Sequence, residues 1–257
     1  MQKIRSTLAL ASFVVSLSSI ARAQYADSVV AYTSGSGVGA SYTNPDRALG
    51  APTTFIGYQN SDPFNSPYSS SQLVSVGAGG SLTVHFNTPI QNTGANPFGL
   101  DFTIFGNAGF VDAYYPNGVA DGSLYGANDG VTHVSVSADG VNFYLLNPAL
   151  APTVDGLFPA DSSGNFQLPV NPALTAGDFS GKDLNGIRAL YNGSGGGTGY
   201  DISWAQGAAL ASVSYVRIDV LSGKSEIDAV VTVPEPGAVS LVWLGATALA
   251  LARRKKA

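Results

Sequence analysis

Apolar and polar residues alternate with a period of two in one segment after another of this chain. That is the pattern of a strand with one buried and one wet face. Residues 81–86 place Leu82, Val84 and Phe86 on one side. Residues 131–136 do the same with Val134 and Val136, and Leu100, Phe102 and Ile104 form a third set. Residues 213–220 and 227–233 complete the clear cases. Helical spacing barely occurs, and many of the 31 glycines and 14 prolines fall between the runs, as turn and loop formers do. The predicted fold class is therefore all-β, with antiparallel strands. The clearest hairpin is 135–144, where Asp139-Gly140 can supply a tight turn between alternating flanks.

The two ends follow other rules. Residues 1–23 carry Lys3 and Arg5, then an apolar run, then Ala21-Arg22-Ala23 before Gln24. A basic start, a short apolar stretch and an A-x-A site make a secretory signal segment, predicted as a helix and cut after Ala23. At the other end, Pro234-Glu235-Pro236 is followed by an uncharged run over 237–252 and by Arg253, Arg254, Lys255 and Lys256. The prolines break the preceding strand. The run predicts a hydrophobic helix barely long enough to cross a bilayer. The basic cluster would stay on the cytoplasmic side of the inner membrane, with 24–236 outside. The predicted organisation is thus a signal peptide (1–23), a β domain (24–233) and a tail (234–257).

Charge narrows the partners. Seven of the 12 basic residues lie in the two ends, so 24–233 keeps five against 16 acids, a net charge of −11. Such a surface argues against nucleic acid, whose phosphates demand basic stripes. The chain has no cysteine, which excludes disulfide staples, a thiol nucleophile and thiolate metal sites. Its histidines, His85 and His133, both sit on the wet parity of their strands, outside any HExxH pattern. No GxSxG elbow occurs, and the glycines at 193–199 lack the Lys-Ser/Thr of a phosphate loop, so they read as a flexible loop. No catalytic residue is assigned, and the chain is expected not to be an enzyme.

Binding residues are sought in the long connections 32–72 and 106–130. Tyr58 and Tyr68 lie in the first, with Tyr42, Phe55 and Phe64; Tyr114, Tyr115 and Tyr125 lie in the second. Aromatic rings offer flat apolar faces to sugar C–H groups, with a hydroxyl beside them; the same rings can instead pin the loops to the domain. If the two connections meet, they define a site; if they are dispersed, scaffolding is favoured. Asp112, Asp121, Asn128 and Asp129 are candidate ligands of a structural calcium, chosen for an oxygen-rich loop without the EF-hand spacing. No other cofactor is expected.

The tail, from Pro234-Glu235-Pro236 through the apolar run to the basic cluster, resembles the PEP-CTERM sorting signal of exported bacterial proteins. The same kind of tail is also catalogued as an ice-binding protein C-terminal domain, a label that describes the tail only. The resemblance implies processing by signal peptidase and by an exosortase, and a final place at the cell surface or outside the cell. A permanent membrane anchor is the alternative. In the β domain, the 134–144 hairpin and Val216-Arg217-Ile218 are similar to discoidin-like, galactose-binding jelly rolls, which implies a jelly-roll-like β-sandwich. The function expected is a non-catalytic surface or matrix protein contacting exopolysaccharide or envelope glycan. The alternatives are a purely structural matrix component and, third, a secreted glycan hydrolase or lyase.

Overall fold

A computed structural model describes residues 24–126, 130–155 and 157–234. The signal segment and the tail from Glu235 onward lie outside these residues, as do Asn128 and Asp129. Among the described residues no helix is long and apolar enough to cross a membrane.

The chain runs through β1 (Ser28–Thr33), β2 (Val74–Gly77), β3 (Ser81–Gln91), β4 (Phe102–Gly106), β5 (Gly109–Asp112) and β6 (Ala120–Tyr125). It continues with β7 (Thr132–Ser137), β8 (Tyr144–Leu145), helix α1 (Leu184–Tyr191), β9 (Thr198–Tyr200), β10 (Ser212–Val220) and β11 (Lys224–Thr232). All pairings between these strands are antiparallel. One sheet has the order β1-β3-β10-β7-β8, a second β2-β11-β4-β9, and β5 and β6 form a separate hairpin. The all-β expectation holds.

The two larger sheets share one core. Leu82, Val84 and Phe86 of β3, Val134 and Val136 of β7, and Val216 and Ile218 of β10 meet Val74, Val76, Phe102, Ile104, Ile227 and Val230 from the other sheet. These include the inward sets that the alternation marks, save Leu100, which is buried outside this cluster. The hairpin at Asp139-Gly140 forms with a different turn. Val136 pairs with Tyr144, so the connection is a wider loop, and Gly140 alone of the pair takes a positive φ. The Asp139 carboxylate organises that loop by accepting from the N–H groups of Val141 and Asn142.

The four-stranded sheet departs from the half-buried expectation. β11 is buried from Ser225 through Thr232, and β4 from Phe102 through Phe105. The cause is a second layer on the outer face, where Phe105, Ala229 and Val231 pack with Ala160, Tyr25 and Phe166. Two segments build this layer and pair with each other. Asn165 and Ser194 form a short parallel bridge, in which the Asn165 N–H donates to Gly193 O and the Gly195 N–H to Asn165 O, and the Gly197 N–H donates to Phe158 O. The glycine run at 193–199 is therefore not a flexible loop. Gly197, at φ +80°, lies so close to the sheet that a Cβ would stand 2.4 Å from Thr103 Cγ2 and 2.8 Å from the Phe105 ring.

α1 was not expected, although its ends are written in the sequence. The Asp183 carboxylate accepts from Gly186 N–H at the start, and Asn192 stops the helix in the left-handed region at φ 50°. Its buried residues Ile187 and Tyr191 join Phe110, Phe158 and Phe179 in a smaller core that seats the β5–β6 hairpin. Arg188 ties the helix down through two bonds to the buried carboxylate of Asp161, at 2.6 and 3.0 Å.

Candidate functional site

The two long connections meet. The Phe110 N–H donates to Pro63 O at 2.8 Å, Ser66 Oγ–H to Ala108 O at 2.6 Å, and the Tyr125 hydroxyl to Phe64 O at 2.5 Å. Backbone groups of both loops are thus satisfied by each other, which holds segments distant in sequence at one place.

Each loop raises a tyrosine on a tight turn. Phe55 bridges to Asn60, and the Ile56 N–H donates to Gln59 O, so Tyr58 stands at the tip of a short hairpin. Gln72 ties that hairpin to the next turn, donating to Phe55 O and accepting from the N–H groups of Tyr68 and Ser69. The Tyr42 hydroxyl donates to Tyr68 O, so Tyr42 buttresses the loop. In the second connection, the Asp112 carboxylate gathers the N–H groups of Tyr114, Gly118 and Val119 and closes the β5–β6 turn. Tyr115 projects from it, 87 % exposed.

The rings of Tyr58 and Tyr68 lie 6.5 Å apart at 45°. The Tyr58 hydroxyl is raised above its ordinary pKa, first by desolvation and then by the nearby Tyr68, Tyr125, Asp62 and Tyr115. Tyr68, Tyr115 and Tyr125 are thus grouped around Tyr58, and all four are exposed. Tyr114 is exposed on the Tyr115 turn, with no ring contact to the others among the described residues. Phe55 is exposed beside Tyr58 in the chain, whereas Phe64 turns in against the smaller core. The cluster can offer several flat faces and phenolic hydroxyls together, next to the acidic Asp62.

Of the calcium candidates, Asp112 closes the β5–β6 turn and Asp121 accepts from the Ser123 N–H and hydroxyl. At Asp112, desolvation is outweighed by the three N–H donors, which hold the carboxyl below its usual range; at Asp121, Ser123 does the same. Among the described residues no three His, Asp or Glu side chains converge as metal ligands. Gln24, the residue after the expected cleavage, accepts at its carbonyl from Thr232 N–H and so lies against the end of β11. Pro234 follows β11 without regular structure.

His85 and His133 sit half-buried on the outer face of the five-stranded sheet, His85 against Tyr215 at 4.7 Å and His133 opposite Asp219. Trp204 lies half-buried against the main core. Sequence reasoning missed a groove of about 380 Å³ lined by Phe98, Leu168, Pro169, Leu174 and Leu190, with Asn171 and Asn192 among its polar residues. The Tyr191 hydroxyl beneath it is spent on Pro159 O. No protein-family model matches the chain, and no curated protein is found to match it.

Proposed function

We propose that this chain is an exported, non-catalytic cell-surface or extracellular-matrix protein whose tyrosine cluster contacts exopolysaccharide or another envelope glycan. The observation that carries the reading is the meeting of the 32–72 and 106–130 connections, which groups Tyr58, Tyr68, Tyr115 and Tyr125 on the surface. Exposed rings of this number cost solvation and contribute little to the core, and their faces suit sugar C–H surfaces. The acidic domain favours neutral glycans over uronate-rich ones through simple repulsion. Two antiparallel sheets facing each other across one core support reading the domain as jelly-roll-like, similar to discoidin and galactose-binding domains.

Delivery in this reading uses signal peptidase after Ala23, passage through the inner membrane, and exosortase acting on the 234–257 tail. Intact mass of the mature protein checks it: Gln24 is expected at the start and the basic cluster is expected to be gone. For the glycan contact, the purified protein is screened on an array of bacterial exopolysaccharides and neutral oligosaccharides, with calcium and with chelator. Binding is expected, weakened about tenfold by Tyr58→Ala or Tyr68→Ala. A blank array in both conditions defeats the glycan part and leaves a purely structural matrix component.

A further inference from the structure

Strand β11 carries a carboxylate into the interior. Its register with β4 shifts between Ile227 and Ala229, so Asp228 stands at a β-bulge, a device that re-aims a side chain. Asp228 is 2 % exposed. Its carboxyl meets the backbone N–H and the hydroxyl of Thr53, each at 2.7 Å. No basic side chain bridges to it among the described residues. β2 and β4 contain no charged residue, and Asp27 and, from the turn 45–48, Asp46 and Arg47 are exposed to water. Lys224 and Glu226 on its own strand pair with each other, Asp155 accepts from the Ala108 N–H, and Asp62 accepts from Phe64 and Asn65.

Thr53 is the root of the loop that lifts Tyr58. Its carbonyl accepts from Ser61 Oγ–H at 2.7 Å, and Thr54 O accepts from Ser61 N–H at 3.0 Å. The Ser61 carbonyl in turn accepts from the N–H and the hydroxyl of Ser162 in the layer over the sheet. The hairpin with Tyr58 at its tip lies between these two anchors.

We propose that Asp228 is a positioning residue for the tyrosine cluster: while it holds its proton it latches Thr53 and fixes the root of the 53–62 loop, and losing the proton opens that root. With the proton off, the Thr53 N–H and hydroxyl both donate to the carboxyl; with it on, the hydroxyl contact reverses so that the carboxyl donates to Thr53 Oγ while still accepting from Thr53 N–H, and both contacts are kept. The ionised form gains from the same two contacts, but burial without a cation costs it more. Burial pushes the Asp228 carboxyl up to about 7, and the Thr53 hydroxyl and N–H pull it back only in part. Above that pH the carboxylate demands water. Water reaches it by lifting the loop, because the strands on either side are locked in the sheet. The use of this latch rests on the glycan reading; the latch itself does not.

The test is backbone hydrogen exchange on the full chain from pH 5.5 to 8.5, corrected for the intrinsic pH dependence of exchange. The probes are the Ile56 and Ser61 amides, which donate to Gln59 O and Thr54 O. Their protection is expected to fall about tenfold by pH 8, one unit above the Asp228 pKa, while the amide of Val216 in the core stays unchanged. Asp228→Asn keeps both contacts without a titrating group and is expected to remain protected throughout. Thr53→Val is expected to lose protection at every pH. Protection independent of pH in the wild type, or the same fall in Asp228→Asn, overturns the proposal. No glycan is present in this experiment, so a blank array and a flat exchange profile are separate failures.

Discussion

The outer face of the five-stranded sheet is left to water, and His85, Tyr215, Arg217 and Asp219 lie half-buried there. The outer face of the four-stranded sheet is roofed by residues of the 157–198 region, and Phe105, Ala229 and Val231 are buried under it. The alternating strands β3 and β10 carry the signature of one wet face, whereas β11 reads Ile-Asp-Ala-Val-Val-Thr with no regular polar beat. Alternation records how many faces are buried, and losing it marks a strand enclosed on both sides. The enclosed sheet roots the tyrosine loop through Asp228, while the open sheet contributes only its inner face to the core.

Paired truncations test that contrast most severely. Phe105→Ala on the roofed face is expected to cost about 3–5 kcal/mol, the range for a buried aromatic. Tyr215→Ala, the counterpart on the open face, is expected to cost about 1 kcal/mol, since the ring is half-exposed where it packs on His85, Phe143 and Gly140. Denaturant unfolding of both variants checks this, and equal losses would dissolve the distinction between the faces.

Gly197→Ala probes the roof itself. The added methyl meets Thr103 and Phe105 at a positive φ, so a loss of about 2–3 kcal/mol is expected. Gly207→Ala, also at positive φ but with open space around it, is expected to lose about 1 kcal/mol.

Titration separates the sheets next. Between about pH 4 and the Asp228 value of about 7, the folded chain holds a proton that the unfolded chain has released. Raising the pH therefore favours unfolding, by about 1.4 kcal/mol per pH unit at most. Asp101, pushed up to about 6 by burial against its contacts with Ile202, Thr93 and Asn96, acts in the same direction over a narrower window. Thermal melts are expected to show stability falling from pH 5 to pH 7, with a shallower fall in Asp228→Asn. The exposed Asp139 works with the opposite sign: its loop donors hold it well below the carboxylate range, so its contribution is lost in strong acid. The smallest effect belongs to Tyr58→Ala, expected to change stability by less than about 0.5 kcal/mol while weakening glycan binding. A large loss of stability there would mean that the ring holds the loop in place.

The sequence by itself determined β3, β7 and β10 of the open sheet, the inward sets Leu82-Val84-Phe86 and Val134-Val136, and the position of the 135–144 hairpin, but not the edge strand β1. A period of two and a turn residue are properties of a few neighbouring residues, and such local facts survive without knowledge of the partner. The end signals of α1, Asp183 and Asn192, are equally local, but they flank only eight residues, too few for a helical period to stand out. Only the tertiary structure decided that the two tyrosine loops meet, that the glycine run lies flat on a sheet, and that Asp228 is buried against Thr53, 175 residues away. These depend on sheet order and on one bulge, which bring distant segments together, and nothing in a short window of sequence carries that distance.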